Sequence, residues 1–313
     1  MSAADSATSA TADEATASAP GAGIRLVATC WTSAGSSAPL VSPELSPFDA
    51  SLRVRTAAET GWSGVGFGQD DLARVSETTG FAALRREIER AGLEHVEVEL
   101  ASGWWRADDS WRPTWQLLLE ASRELDASFI KIGTDHAATA HENAPLVEPL
   151  RRLGDEALDA GARVALEPLP FGMVASIPQG AELVRAADHP AVGLVVDFWH
   201  VFRAGTPLGE LERALAARPG VVFGVELSDA DAEPRGTLFE DTRDNRRLIG
   251  EGAQDVEGFI RTMRRVGFDG PWGVEILSAE HRARPLREAL EVARATALAT
   301  FARAGAGAAG SAS

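Results

Sequence analysis

Eight short runs rich in β-branched and aromatic residues recur along the chain, each followed by a stretch whose apolar residues have helical spacing. This order restricts the fold more than any other feature. The runs are Ile24 to Cys30, Gly64 to Phe67, His95 to Glu99, Phe129 to Gly133, Arg163 to Glu167, Gly193 to Asp197, Val221 to Glu226 and Gly273 to Leu277. Between them lie helical stretches such as Phe81 to Ala91, Thr114 to Leu125, Pro145 to Ala160, Pro178 to Ala187, Leu208 to Ala217, Val256 to Val266 and Arg284 to Arg303. Parallel strands require crossovers of this kind, so the reading is an α/β protein built as one closed (β/α)8 barrel. Helices stop at Gly92, Gly161 and Gly267, each directly before the next apolar run, as left-handed C-caps favour. An open doubly wound sheet is the alternative. Against it, GVGFG and GEGAQ lack the full phosphate-loop pattern and its setting.

The barrel is expected over residues 23 to 303. Residues 1 to 22 are dominated by Ala, Ser, Thr and acids, and 304 to 313 by Ala, Gly and Ser, so both read as disordered tails. The start has neither the basic residues nor the apolar stretch of a secretory signal, and no apolar run approaches a membrane span. A cytoplasmic protein with no membrane partner is the expectation. The net charge of -16, from 46 acids against 30 bases, argues against a nucleic-acid partner, because phosphates must be neutralised by clustered Lys and Arg. The single cysteine, Cys30, allows no intrachain disulfide and reads as core filling.

Four late runs end in an acid: Glu167 in VALEP, Asp197 in GLVVD, Glu226 in FGVEL and Glu275 in WGVEI. Strand alternation puts Val164/Leu166, Leu194/Val196, Phe223/Val225 and Trp272/Val274 on one face. Each acid shares the other face with a smaller residue two before it: Ala165, Val195, Gly224 and Gly273. In neighbouring parallel strands the acids would meet at one mouth above a weakly filled layer, where like charges repel unless a cation sits among them. Oxygen ligands suit Mn²⁺ or Mg²⁺. Glu167, Asp197, Glu226 and Glu275 are therefore the candidate metal ligands.

Other candidates cluster near the same strand ends. His200 follows Asp197 in DFWH, and His136 follows the fourth strand. Arg246 and Arg247, in NRRLIGEG, can balance surplus negative charge or bind substrate with their forks of donors, and Gly250 and Gly252 would let the backbone approach a ligand. On the third strand Glu97 and Glu99 turn inward, as does Lys131 on the fourth, which suggests a buried Glu97–Lys131 pair with Glu99 left to contact substrate. Trp31 and Trp105 are candidate apolar walls for sugar rings, with Trp104 and Trp199 as further ones. No nucleophile elbow, CxxC, HExxH or phosphate-cradling loop occurs.

The segments ALEPLPF, VVDFWH, VELSDA, RRLIGEG and GVEILS, with WTSAG near the first strand, resemble the xylose isomerase-like TIM barrel family of sugar isomerases and epimerases, inosose and dehydroshikimate dehydratases, and endonuclease IV. Against the ketose 3-epimerase pattern, Glu167, Asp197 and Glu275 correspond to metal ligands, His200 to the substrate-side histidine and Arg246 to the arginine before Gly-x-Gly. Glu226 departs from it by replacing a histidine. The resemblance implies a divalent-metal-dependent isomerase or epimerase acting on a keto-sugar or polyol through an enediolate, with Glu167 and Glu275 moving the proton. A dehydratase or lyase on a keto-cyclitol or keto-glycoside is the second outcome, and a non-catalytic sugar-binding or partner-subunit barrel the third. Homo-oligomers are common in the family.

Overall fold

The computed structural model describes residues 23–134 and 145–309. Eight parallel strands close in sequence order: β1 Leu26–Ala28, β2 Gly64–Gly68, β3 His95–Ala101, β4 Phe129–Ile132, β5 Val164–Leu166, β6 Val192–Asp197, β7 Val222–Leu227 and β8 Trp272–Val274, with β8 pairing back on β1. Around and between them run α1 Cys30–Ser33, α2 Ala50–Glu59, α3 Gln69–Glu77, α4 Phe81–Ala91, α5 Arg112–Leu125, α6 Val147–Asp159, α7 Ile177–Ala187, α8 Phe198–Arg203, α9 Leu208–Ala216, α10 Leu238–Asp244, α11 Val256–Arg265, α12 Ala279–Arg282 and α13 Leu286–Ala309. The (β/α)8 barrel is as expected. β1 is shorter than the apolar run that marks it, because Cys30 already begins α1. Helix α13 continues past Arg303, where the sequence pattern ends it.

Strand alternation sorts the side chains into two layers. Val96, Val98, Ile130, Ile132, Val164, Leu166, Leu194 and Val196 face outward into the large core shared with the helices. Phe129, Ala165 and Val195 form a separate small cluster inside the barrel, with Phe223 packed against it. Phe223 thus lies inside, not on the outer face with Val225. The cause is a register shift: Leu194 pairs with Val222 but Val195 pairs with Gly224, so one extra residue bulges from β7 and reverses the parity there.

The inner layer is therefore filled, not empty. Small residues make room for aromatic rings: a Cβ added at Gly224 would stand 2.7 Å from the Phe129 ring, and one at Gly193 would stand 2.7 Å from that of Phe223. This apolar plug forms the floor on which the charged layer rests.

A second anchor lies under the β1–α1 turn. Arg53 of α2 is fully buried, ion-paired with Asp71, and donates to Ser33 Oγ at 3.0 Å, Cys30 O at 2.9 Å and Gly66 O at 3.0 Å. It ties α1, β2 and α3 together next to Trp31. Cys30 is buried there as core, with burial pushing its thiol well above the usual range. Among the described residues no helix is long and apolar enough to cross a membrane.

Candidate metal-binding active site

Each acid reaches the barrel mouth because its strand ends, or is about to end, at that residue. Asp197 is the last residue of β6 and also caps α8: its Oδ1 accepts from Trp199 N at 2.6 Å and His200 N at 3.4 Å. The helix starts without a loop, which fixes His200 within one turn of the strand end. Glu226 is the penultimate residue of β7, while Glu167 and Glu275 directly follow β5 and β8. One oxygen from each of Glu167, Asp197, Glu226 and Glu275 can be chosen so that all lie within 4.8 Å of one another, and all four residues are buried. That spacing and an all-oxygen donor set fit a single divalent ion. Glu226 Oε2 is also buried without a hydrogen-bond partner among the described residues, as an oxygen meant for a ligand would be.

Two basic side chains stand among the acids. Arg246 Nη1 donates to Asp197 Oδ2 at 2.7 Å and lies 3.1 Å from Glu275 Oε2, while its Nε and Nη2 donate to Thr242 Oγ1 on α10 at 3.1 and 2.8 Å. Lys131 Nζ lies 2.6 Å from Glu226 Oε1, 2.8 Å from Glu99 Oε2, 3.4 Å from Glu275 Oε1 and 3.9 Å from Glu167 Oε2. The expected Glu97–Lys131 pair does not form. Glu97 is level with Phe129 in the β3–β4 register, one layer below Lys131, and pairs instead with His95 at 2.8 Å. Lys131 belongs to the same layer as Glu99 and reaches up to the mouth.

The burial of so many charges separates the acids electrostatically. Burial opposes ionisation of Glu167, but Lys131, His200 and Arg246 outweigh it and hold this carboxyl at about 2. Asp197 is likewise lowered: Arg246 and His200 overcome the cost of burial. For Glu275 burial wins over Lys131 and Arg246, pushing it to about 8. Glu226 is raised well above the carboxylate range by burial and by the neighbouring Glu275, and Glu99 is raised chiefly by burial. Lys131 and Arg246 are held charged, because the surrounding carboxylates exceed the penalty of burial.

The cavity above this cluster is lined by Trp31, Glu99, Lys131, Glu167, His200, Arg246 and Glu275, with Leu169, Phe171 and Phe239 among its apolar walls. His200 Nε2 is 3.4 Å from Glu167 Oε1 and 3.6 Å from Asp197 Oδ2, and its Nδ1 is buried with no hydrogen-bond partner among the described residues. Trp105 packs edge-on against Trp104 and is not part of the cavity lining. Trp199 is fully buried, with Arg246 5.3 Å from its ring. His136 lies outside the described residues. Gly250 and Gly252 are not among the residues lining this cavity: both backbone N–H groups donate to Asp229 Oδ2 at 3.0 Å, and Gly250 has a positive φ of 85°. The long segment after β7 folds as α10, capped by Thr237 and Glu240, and contributes Phe239 and Thr242 to the cavity.

The residue that sequence reasoning placed wrongly is Lys131, and composition held a signal for it. It is the only lysine of the chain, every other basic side chain except histidine being arginine. Phe171, Leu169 and Phe239 were also not foreseen, since apolar residues on loops carry no distinguishing pattern.

Comparison with known proteins identifies the family and the fold. The 3-dehydroshikimate dehydratase of Pseudomonas putida is 36% identical over 170 residues, covering 53% of this chain and 26% of that protein. The inosose isomerase of Bacillus subtilis is 28% identical over 152 residues, covering 48% of this chain and 52% of that protein. The chain thus matches about a quarter of the dehydratase and about half of the isomerase. Among solved structures, the IOLI protein with a bound zinc atom superimposes with a TM-score of 0.74 at 17% identity, over 90% of this chain and 99% of that one. L-ribulose 3-epimerase does so with a TM-score of 0.68 at 16% identity, over 93% and 98%. Residues 54–296 match the family described as the xylose isomerase-like TIM barrel, and the chain belongs to that family.

Proposed function

We propose that the protein is a divalent-metal-dependent isomerase or epimerase that acts on a keto-sugar or related polyol, with Glu167 and Glu275 moving the proton. The observation that carries this is the convergence of four buried carboxylates at the ends of β5, β6, β7 and β8, two of which, Glu167 and Glu275, line one cavity. Glu167, Asp197, Glu226 and Glu275 would hold the ion, and their oxygens suit Mn²⁺ or Mg²⁺. When bound, a dication there would polarise the substrate carbonyl and stabilise charge that develops on its oxygen.

The chain's own residues divide the remaining work. Glu167 can accept the proton from the carbon next to the carbonyl, and Glu275 can return one to it. They directly follow β5 and β8, with two strands between them, so they can serve different faces of a flat intermediate. His200 and Arg246 offer donors to substrate oxygens, Glu99 an acceptor to a hydroxyl, and Trp31 an apolar wall for the ring.

A dehydratase is the second reading. It is favoured by the dehydroshikimate dehydratases of Pseudomonas putida and Pseudomonas aeruginosa, at 36% and 32% identity, and by His200, whose unpartnered ring nitrogen could protonate a leaving hydroxyl. Both readings share proton abstraction and separate afterwards. Incubation with keto-sugars, inososes and cyclic keto acids in heavy water with Mn²⁺, followed by mass spectrometry, distinguishes them. Deuterium gained on an intact skeleton supports the isomerase, loss of water supports the dehydratase, and no exchange with any compound would leave the non-catalytic barrel.

A further inference from the structure

The single lysine of the chain is spent on the most acidic point of its interior. Lys131 is 2% exposed, and its ammonium lies within 4 Å of three of the four carboxylates that could hold a metal ion, as well as of Glu99. Everywhere else this sequence uses arginine. The difference is physical: a guanidinium is a flat fork that binds along one edge, whereas an ammonium is a compact point charge that several oxygens can surround, much as they surround a metal ion. Buried acids this close together stay assembled only by taking up protons or by holding a cation between them.

We infer that the Lys131 ammonium is the resident cation of the cage in the metal-free protein, and that a divalent ion enters by displacing it. This rests on the metal-dependent reading above. Glu167, Glu226 and Glu275 each turn one oxygen to Lys131, and two cations sharing three carboxylates repel each other strongly in a water-poor site. The lysine stem is flexible and has somewhere to go. Glu99 is not one of the four ligand candidates, and its Oε2 already stands 2.8 Å from Nζ, so the ammonium keeps a carboxylate partner there when it gives up the other three. Lys131 is in this sense a positioning residue that keeps the cage assembled until the ion arrives.

Because Lys131 is unique, lysine-specific ¹⁵N labelling of the whole protein gives one side-chain ammonium signal. Titration with Mg²⁺ should move that signal in step with calorimetric binding. In parallel, Lys131→Met should bind Mn²⁺ on the order of tenfold more tightly than wild type, and should melt lower without metal but gain more on its addition. If the lysine signal does not move while calorimetry shows the metal bound, displacement is wrong and the metal site stands. If wild type and Lys131→Met both bind no Mn²⁺ or Mg²⁺, the metal reading itself fails and takes this inference with it. Should Lys131→Met not fold, the wild-type titration decides alone.

Discussion

Arg246 joins two strands of the cage: its Nη1 donates to Asp197 Oδ2 at 2.7 Å and stands 3.1 Å from Glu275 Oε2. Both carboxylates are thereby held in one orientation, and the guanidinium is itself locked by Thr242. Groups that orient ligands in this way typically contribute about 10- to 100-fold to metal affinity or turnover. Arg246→Met is expected to lose that factor in Mn²⁺ affinity, measured by calorimetry. Thr242→Val should produce a smaller loss in the same direction.

Replacing either proton-transfer candidate separates positioning from chemistry. Glu275→Gln and Glu167→Gln retain the shape of the side chain but cannot exchange a proton. Deuterium incorporation from heavy water should fall by about 10²-fold or more in each. Full exchange in Glu275→Gln would refute the assignment.

Removal of metal should be visible without any substrate. A site formed only in the folded chain stabilises it by about 4 kcal/mol at a thousandfold excess of ligand over Kd. Chelator treatment should therefore lower the Tm, and Mn²⁺ should restore it. An unchanged Tm would favour a barrel that holds no ion.

The Arg53–Asp71 pair is a structural test away from the cavity. Arg53 is fully buried and satisfies Ser33, Cys30 and Gly66 as well as Asp71. Arg53→Met removes the donor of two buried carbonyl groups and one partner of Asp71, which keeps Arg74 Nη2 at 3.2 Å and Ser46 N at 3.1 Å. A loss of about 1–3 kcal/mol for each carbonyl left unpaired is expected in urea denaturation.

Acidification acts through His281. Burial lowers its pKa, its Nε2 donates to Thr32 O at 3.0 Å, and its Nδ1 is buried with no acceptor nearby among the described residues. The neutral ring is favoured in the folded state, so this contribution to stability is fully present above the unfolded pKa of about 6.5. It is lost as the pH falls from there through the lowered folded value. The difference in stability between wild type and His281→Asn, measured from pH 8 to pH 5, should stay flat above about 6.5 and shrink below it, provided the variant keeps the bond to Thr32.

Much of the site is readable from the chain because a strand has a period of two. VALEP, GLVVD, FGVEL and WGVEI each place an acid just where the apolar alternation stops, and parallel pairing brings equivalent ends to one mouth. The barrel, the four acids and His200 beside them follow from local pattern plus this one rule, whereas Arg246 is singled out by the family resemblance.

What the pattern could not supply is register and reach. Whether Glu97 or Glu99 meets Lys131 depends on which layer of the barrel each occupies, and that is set by the β3–β4 pairing of Glu97 with Phe129. The inward turn of Phe223 depends on one bulged residue in β7. Trp105 and Trp31 are equivalent as loop tryptophans in the sequence, yet only Trp31 lines the cavity. Alternation along a strand is a local property of the backbone, whereas the partner of a long side chain is decided by how far neighbouring strands slide past each other before the barrel closes.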